Sequence, residues 1–275
     1  MAAGGAGISI PRSPFAFRRA VTALVLCVVL WQIGTQLHSW TGISVPGIGK
    51  LPSPVAVMMA WASIVKDPGY WVSWALSFAR VLGGFSIALV TAVPLGLLLG
   101  TNKTFRGIAF PVFEIIRPIP PLAWVPAAII FWPTQELAIT FITFLGAFFT
   151  IVMNVFAGAR NINVRYLNAA RSLGASQFYI FRRIILPATI PAIMVGASVA
   201  IGLTWEVVVA AEIISGSSAL GSSSGGLGHF IWSSYLGGAY DNILVGMISI
   251  GIAGYLCSAL VRKVGEYIAP WSRKQ

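Results

Sequence analysis

The sequence predicts an all-α integral membrane protein with six transmembrane helices. Of its 275 residues, 57% are apolar and only 9% are charged, and the mean hydropathy is +0.85. A soluble domain carries roughly 25% charged residues, because its surface must be solvated. Apolar runs near the roughly 20 residues that cross a bilayer recur along the chain. The chain is too short for a twelve-helix carrier, and its polar intervals are shorter than the roughly 50 residues of a small soluble domain.

Six apolar segments define the predicted spans. Arg18 and Arg19 precede the first segment, and no small-x-small cleavage site follows it, so we interpret it as a retained helix and not a signal peptide. Segment 46–66 has one short apolar stretch flanked by lysines, which predicts an interfacial helix. The predicted spans are 20–37, 71–100, 106–132, 135–159, 187–214 and 242–262.

The distribution of basic residues predicts the orientation. With both termini in the cytoplasm, Lys50 and Lys66 lie outside and Arg80 and Arg117 lie within spans. The other 14 of the 18 basic residues, Arg12, Arg273 and Lys274 among them, then fall in inner loops and ends, as the positive-inside rule requires. The net charge of +11 is therefore explained by topology, and no nucleic-acid partner is predicted.

The sequence lacks the usual patterns of catalysis and metal binding. Cys27 and Cys257 lie in apolar runs, where a thiol behaves as a small hydrophobic group. His38 and His229, the only histidines, have no Cys or carboxylate cluster near them. No His-Glu-x-x-His motif, no Ser/His/Asp set and no Gly-x-x-x-x-Gly-Lys-Ser/Thr phosphate loop is present. We predict no catalytic residue, no metal and no cofactor, and we expect another chain to hydrolyse any ATP that is used.

Loop 161–183 is the only substantial segment predicted on the cytoplasmic side between spans. Residues 164–173 can form an amphipathic helix, Gly174 can supply a left-handed C-terminal cap, and Ser176 can cap the next helix. A plain connection needs only a few residues. A projecting helix of this kind predicts a docking site for a partner.

The predicted span 106–132 contains a proline-rich break. Pro118, Pro120 and Pro121 each remove an amide donor, so no regular helix can pass through 114–121. At membrane depth, irregular backbone is tolerated only against protein or a wet cavity. One interpretation is a hinge on a transport pathway, with Arg117 attracting an anion; the other is a structural kink in which Arg117 pairs with Glu114 or extends to the cytoplasmic face.

Glu206 is a carboxylate inside an apolar span. We estimate its depth at about 12 Å below the outer end of that span and the depth of Arg80 at about 13 Å, using 1.5 Å per residue. Because an isolated charge at this depth is costly, we hypothesise an Arg80–Glu206 ion pair. The alternatives are a protonated Glu206 or one that faces a wet cavity.

Three stretches resemble the permease subunits of bacterial ABC importers, in the branch that includes nitrate, sulfonate, taurine and bicarbonate systems. Residues 168–170, Gly174 and the Leu186-Pro187 pair are similar to the cytoplasmic EAA loop of that family. Stretches 117–126 and 208–212, with 226–228 and 231–232 beyond them, are similar to this branch in order and spacing. Asn168 stands where the family usually has Glu, and the Ser/Gly-rich run 217–225 is longer than the usual loop.

The resemblance covers about residues 50–265 and implies a type I importer permease fold in the lipid of a bacterial inner membrane. It implies a pathway formed with a second permease subunit, expected to be a second copy, together with cytoplasmic ATPase subunits and an extracytoplasmic solute-binding protein. The expected solute is a small anion: nitrate, bicarbonate, taurine or another sulfonate. Residues 1–66 would comprise the tail, first helix and interfacial segment, and residues 67–275 a five-helix permease core with coupling loop 161–183.

The resemblance and the residue patterns above together give candidate residues for two sites. The residues expected to couple to the ATPase are Asn168, Ala169, Ala170, Arg171, Leu173, Gly174 and Ala175. The pathway candidates are Glu114, Arg117, Pro118, Pro120, Pro121, Glu206 and Glu212.

Two other functional classes are weighed against a permease. An ion-coupled secondary carrier or channel is the first alternative, but no parallel or inverted internal repeat is visible in the sequence. A membrane enzyme is the second, but the chain lacks the His-Glu-x-x-His motif and the Ser/His/Asp set that an intramembrane hydrolase would need. We therefore expect a transport subunit without catalytic activity of its own.

Overall fold

The computed structural model describes residues 14–41, 51–216 and 225–271, and these ranges are helical with no strand. The all-α class is therefore confirmed for the described part of the chain. The Ser/Gly-rich run up to residue 224, together with Arg12, Lys50, Arg273 and Lys274, lies outside the described residues. The helices are α1 (Pro14–Thr41), α2 (Pro54–Ile64), α3 (Pro68–Thr101), α4 (Lys103–Ile116), α5 (Val125–Phe131), α6 (Gln135–Arg160), α7 (Val164–Ser172), α8 (Gln177–Ile180), α9 (Leu186–Gly216), α10 (Leu227–Leu236) and α11 (Tyr240–Ile268).

Four helical segments of the described ranges are long and apolar enough to cross a membrane: Pro68–Thr101, Gln135–Arg160, Gln177–Ile214 and Tyr240–Ile268. A fifth crossing is possible if the bent pair Lys103–Ile116 and Pro121–Phe131 counts as one span. The predicted span 20–37 falls in α1, where Val21–Leu37 is a shorter apolar helix. The count of six spans therefore stays a prediction.

The span predicted to start at residue 187 begins ten residues earlier in the structure, at Gln177. A wide turn of π-helix, Phe181–Ile185, joins α8 to α9. Pro187 stands two residues after that turn and has no amide hydrogen to donate, so the regular hydrogen-bond pattern cannot run unbroken through this point. The helix nevertheless continues toward loop 161–183.

Local capping explains where the long helices begin. The Asp67 carboxylate accepts a hydrogen bond from the Gly69 amide at 2.9 Å, and Pro68 occupies the first turn of α3. The Thr134 hydroxyl caps α6 in the same way, by accepting from the Leu137 amide. Asn102 ends α3 and caps α4, which produces a tight turn between them.

The core is a three-helix packing of α3, α6 and α9, and α10 and α11 complete it on one side. Glycines allow α3 to approach α6 closely. A Cβ on Gly84 would lie 2.8 Å from the Phe144 amide nitrogen, and one on Gly96 would lie 2.7 Å from the Val155 Cβ. In the described part of the predicted interfacial segment, residues 51–66, the helix is α2, which packs against α11 and α1.

Candidate functional site

The break between α4 and α5 positions the first candidate site. Helix α4 ends at Ile116, whose carbonyl accepts a hydrogen bond from the Ile119 amide at 3.0 Å. Pro120 is extended, with φ −58° and ψ 138°, and Pro121 opens a short 3₁₀ turn that leads into α5. The two segments meet at a bend of 86°. The proline-rich break predicted from the sequence is therefore confirmed, and it lies at 117–120.

A cavity of about 660 Å³ opens beside this break. Its walls come from the break, from the middle of α6 and from α9, and they are mainly apolar. The lining residues are Arg117, Ile119, Pro120, Pro121, Leu122, Leu145, Gly146, Phe149, Thr150, Met153, Asn154, Leu203, Glu206, Val207 and Ala210. Four of the pathway candidates, Arg117, Pro120, Pro121 and Glu206, are thus brought together, and Pro118 lies in the break without lining the cavity.

Two side chains of opposite charge line this cavity. The Arg117 guanidinium is 3.2 Å from the Glu114 carboxylate, and both side chains are partly exposed. Glu114 itself does not line the cavity. Glu206 is exposed, and within the described residues no ion pair or hydrogen bond involves its carboxylate. The pairing and the cavity position predicted as alternatives for Arg117 are therefore both present.

A second group of charges is buried between α3, α6 and α9. The Arg80 guanidinium, which is 3% exposed, donates to Glu212 at 2.8 Å and to both oxygens of Glu136 at 2.5 and 2.8 Å. It also donates to the Gly225 carbonyl at 2.6 Å. Burial of this cation is tolerated because each of the three guanidinium nitrogens donates to an acceptor.

The same cluster accepts hydrogen bonds from the first backbone amides of α10. The Glu212 carboxylate accepts hydrogen bonds from the Ser77 hydroxyl and from the Gly228 amide, and the Ser77 oxygen accepts one from the Leu227 amide at 2.9 Å. Gly226 has a φ of +152°, and a Cβ there would lie 2.5 Å from a Glu212 carboxylate oxygen. Free amides at a helix N-terminus favour an anion, and here the anion comes from the chain itself.

The predicted Arg80–Glu206 ion pair is wrong, because Arg80 binds Glu136 and Glu212 instead. Glu212, named as a pathway candidate, lies in this buried cluster and does not line the cavity. Sequence reasoning missed Glu136 and Ser77. Glu136 could have been found as a carboxylate at the start of an apolar helix, whereas nothing in the sequence distinguishes Ser77 from other serines in spans.

The loop between α6 and α8 contains the predicted projecting helix. Asn163 caps α7, Gly174 follows it with a φ of +78°, and the Ser176 hydroxyl accepts from the Tyr179 amide. No residue of α7 is buried, and Leu173 is 87% exposed. Asn168, Ala169, Ala170 and Arg171 lie on α7, and Leu173, Gly174 and Ala175 form the turn after it. In the described ranges, no group of three or more His, Cys, Asp or Glu side chains could hold a metal.

A bundle of long apolar helices, a bent helix pair packed against it, a cavity beside the bend and a helix projecting from the bundle are typical of a polytopic membrane transport subunit. Residues 92–274 match the family described as the binding-protein-dependent transport system inner membrane component, and the chain belongs to this family. It is a multi-pass permease subunit of an ABC importer of the inner membrane, and subunits of this kind are not themselves enzymes.

Named relatives match nearly the whole chain. The nitrate import permease protein NrtB of Synechocystis sp. is 33% identical and covers 97% of this chain and 94% of its own length. The bicarbonate transport system permease protein CmpB of Synechococcus elongatus is 31% identical over 88% of this chain and 85% of its own.

Solved structures share the fold. An inward-facing form of the methionine ABC transporter MetNI gives a TM-score of 0.59 at 21% identity, covering 77% of this chain and 97% of that chain. A bacterial ABC transporter that imports the acidic polysaccharide alginate gives 0.58 at 14% identity, covering 92% and 97%. At this level of identity the likeness concerns the fold alone.

Proposed function

We propose that this permease forms the pathway for a small solute with an anionic group: nitrate, bicarbonate, taurine or another sulfonate. The observation that carries the proposal is the cavity at the α4–α5 break, which presents the Arg117 guanidinium at a point where the backbone is irregular. Irregular backbone inside a membrane is stable where it lines a wet cavity. The nitrate and bicarbonate permeases among its relatives support an anionic solute.

The assembly we propose follows from the family. The chain crosses the membrane six times with both termini in the cytoplasm, and residues 67–275 form the permease core. It pairs with a second copy, receives solute from an extracytoplasmic binding protein and binds cytoplasmic ATPase subunits.

In this proposal α7 is the coupling helix. None of its residues is buried, and the turn after it presents Leu173 and, further along, Phe178 at 71% exposure. Apolar side chains exposed next to a polar helix are typical of a surface that a partner covers. The Gly174 turn fixes the angle between α7 and α8, because the amides of Gly174 and Ala175 bond back to carbonyls of Arg171 and Ala170.

A comparison of two glycines tests the coupling role. Gly174→Ala and Gly238→Ala each place a Cβ at a positive φ, +78° and +71°, and neither Cβ has a neighbour within 4 Å. Both changes therefore carry a similar backbone strain of roughly 1 kcal/mol. In proteoliposomes containing the complete importer, we expect Gly174→Ala to lower ATP-driven uptake several-fold and Gly238→Ala to leave it nearly unchanged. Equal uptake by the two variants would contradict the assignment of α7.

A further inference from the structure

The cavity beside the helix break contains a carboxylate that an anion pathway does not need. Glu206 lies on α9, is exposed and lines this cavity; it also borders a second cavity of about 600 Å³ between α9 and α11. In the part of the chain that the structure describes, no ion pair or hydrogen bond involves its carboxylate, and its neighbours on α9 that reach the core are Trp205 and Val207. An ionisable residue at membrane depth that faces a cavity is a functional group by default.

The opposite charge in the cavity is already partly neutralised. The Arg117 guanidinium forms an ion pair with the Glu114 carboxylate at 3.2 Å, and Glu114 does not line the cavity. The Arg117 side chain is still 41% exposed. A solute that is only an anion would gain from Arg117 and be repelled by Glu206. A solute with one positive and one negative group would find an oppositely charged partner for each group, Glu206 for the positive one and Arg117 for the negative one.

The rest of the wall favours an organic solute. Most of the remaining wall is apolar, with Leu145, Phe149 and Met153 from α6 and Leu203 from α9, and the polar side chains of Thr150 and Asn154 also line it. The volume, about 660 Å³, is about twenty times the roughly 30 Å³ that one water molecule occupies. This space accommodates a short hydrocarbon body that links two polar ends.

We propose that the cavity recognises a zwitterion, a solute with an anionic group for Arg117 and an ammonium or other cationic N–H donor for Glu206. An aminosulfonate or an amino acid has this chemistry, whereas nitrate and bicarbonate do not. The inference rests on the proposed function, since it specifies the solute class for the same pathway. Glu206 is then a specificity-determining residue of the permease, independent of what the binding protein selects.

Charged thiol reagents test the electrostatic part of the proposal. Leu122→Cys places a thiol in the cavity wall, in a background with Cys27→Ser, while the buried Cys257 serves as an internal control that stays unlabelled. In the complete importer we expect the ratio of labelling by a trimethylammonium methanethiosulfonate to labelling by its sulfonate analogue to fall several-fold on Glu206→Gln. Asp241→Asn removes the same charge outside the cavity and should leave the ratio unchanged, and Glu206→Asp should retain it.

Protection by small probes tests the solute class. Taurine should slow labelling of the Leu122→Cys variant more than equimolar ethanesulfonate or ethylammonium, and Glu206→Gln should abolish that advantage. Equal protection by taurine and ethanesulfonate, protection by none of the three, or an unchanged reagent ratio in Glu206→Gln would each overturn the inference. If labelling at position 122 still responds to ATP and binding protein, only the zwitterion inference fails; if it responds to neither, the proposed pathway fails as well.

Discussion

Two carboxylates on α9, only six residues apart, have opposite environments. The Glu212 side chain is 0% exposed and binds Arg80, Ser77 and the Gly228 amide. Glu206 is exposed to the cavity and has no such partner among the described residues. Six residues correspond to about 9 Å along a helix and about 240° around it, so the two side chains face different directions.

The comparison teaches how to interpret a charge within a membrane helix. A buried charge whose partners come from the same chain is part of the fold, because removing one partner leaves the other charge buried and uncompensated. A charge left open to a cavity contributes little to the fold and is available to a solute. Glu212 therefore belongs to the architecture of α3, α6, α9 and α10, whereas Glu206 is left free for the pathway role that we propose.

The largest expected effect comes from removing the cation of the buried cluster. Arg80→Ala leaves Glu212 buried without its cation, a change that costs about 3–5 kcal/mol in comparable buried pairs. We expect the thermal unfolding midpoint of the purified protein in detergent to fall by on the order of 10 °C. Arg165→Ala, on the exposed surface of α7, is the matched control and should change stability by no more than about 0.5 kcal/mol.

A double variant sharpens this prediction. Arg80→Leu combined with Glu212→Leu removes both charges together, so its loss of stability should be smaller than the sum of the two single losses. Glu136→Gln should be milder than either single change, because the Glu136 side chain is 56% exposed and solvent can replace the lost interaction. Strictly additive losses would contradict an ionic cluster that acts as a unit.

An intermediate effect is expected where α10 meets the same cluster. A Cβ on Gly228 would collide with the Val209 carbonyl oxygen and lie 2.8 Å from the Glu212 Cβ. Gly228→Ala should therefore lower the stability by about 1–3 kcal/mol through overpacking, measured by the same thermal unfolding. Gly107→Ala, with no atom within 4 Å of the new Cβ, should be neutral or slightly stabilising; equal effects of the two changes would show that the contact with Glu212 is not tight.

Much of this architecture could be predicted from the sequence, and the missing part has a physical cause. Long apolar runs located the span helices to within a few residues at most ends, and the prolines after Arg117 located the break, because both signals are local. The partner of Arg80 was assigned wrongly because helix rise gives depth along the bilayer but not direction around the helix axis. The start of the span at Gln177 was missed because its first turns are polar enough to be taken as loop.

The smallest expected effect on stability belongs to Glu206, and it separates the two carboxylates most directly. Glu206→Gln keeps the size of the side chain and removes a charge that binds no described partner, so no buried group loses its counter-ion. We expect the free energy of unfolding, obtained from the shift of the unfolding midpoint, to change by no more than about 0.5 kcal/mol, as it does for surface substitutions. Glu212→Gln, the same chemical change six residues away, should destabilise the protein clearly because Arg80 would lose its buried carboxylate. A large loss of stability in Glu206→Gln would mean that this side chain has a structural partner, and it would remove the physical reason for assigning Glu206 to a solute.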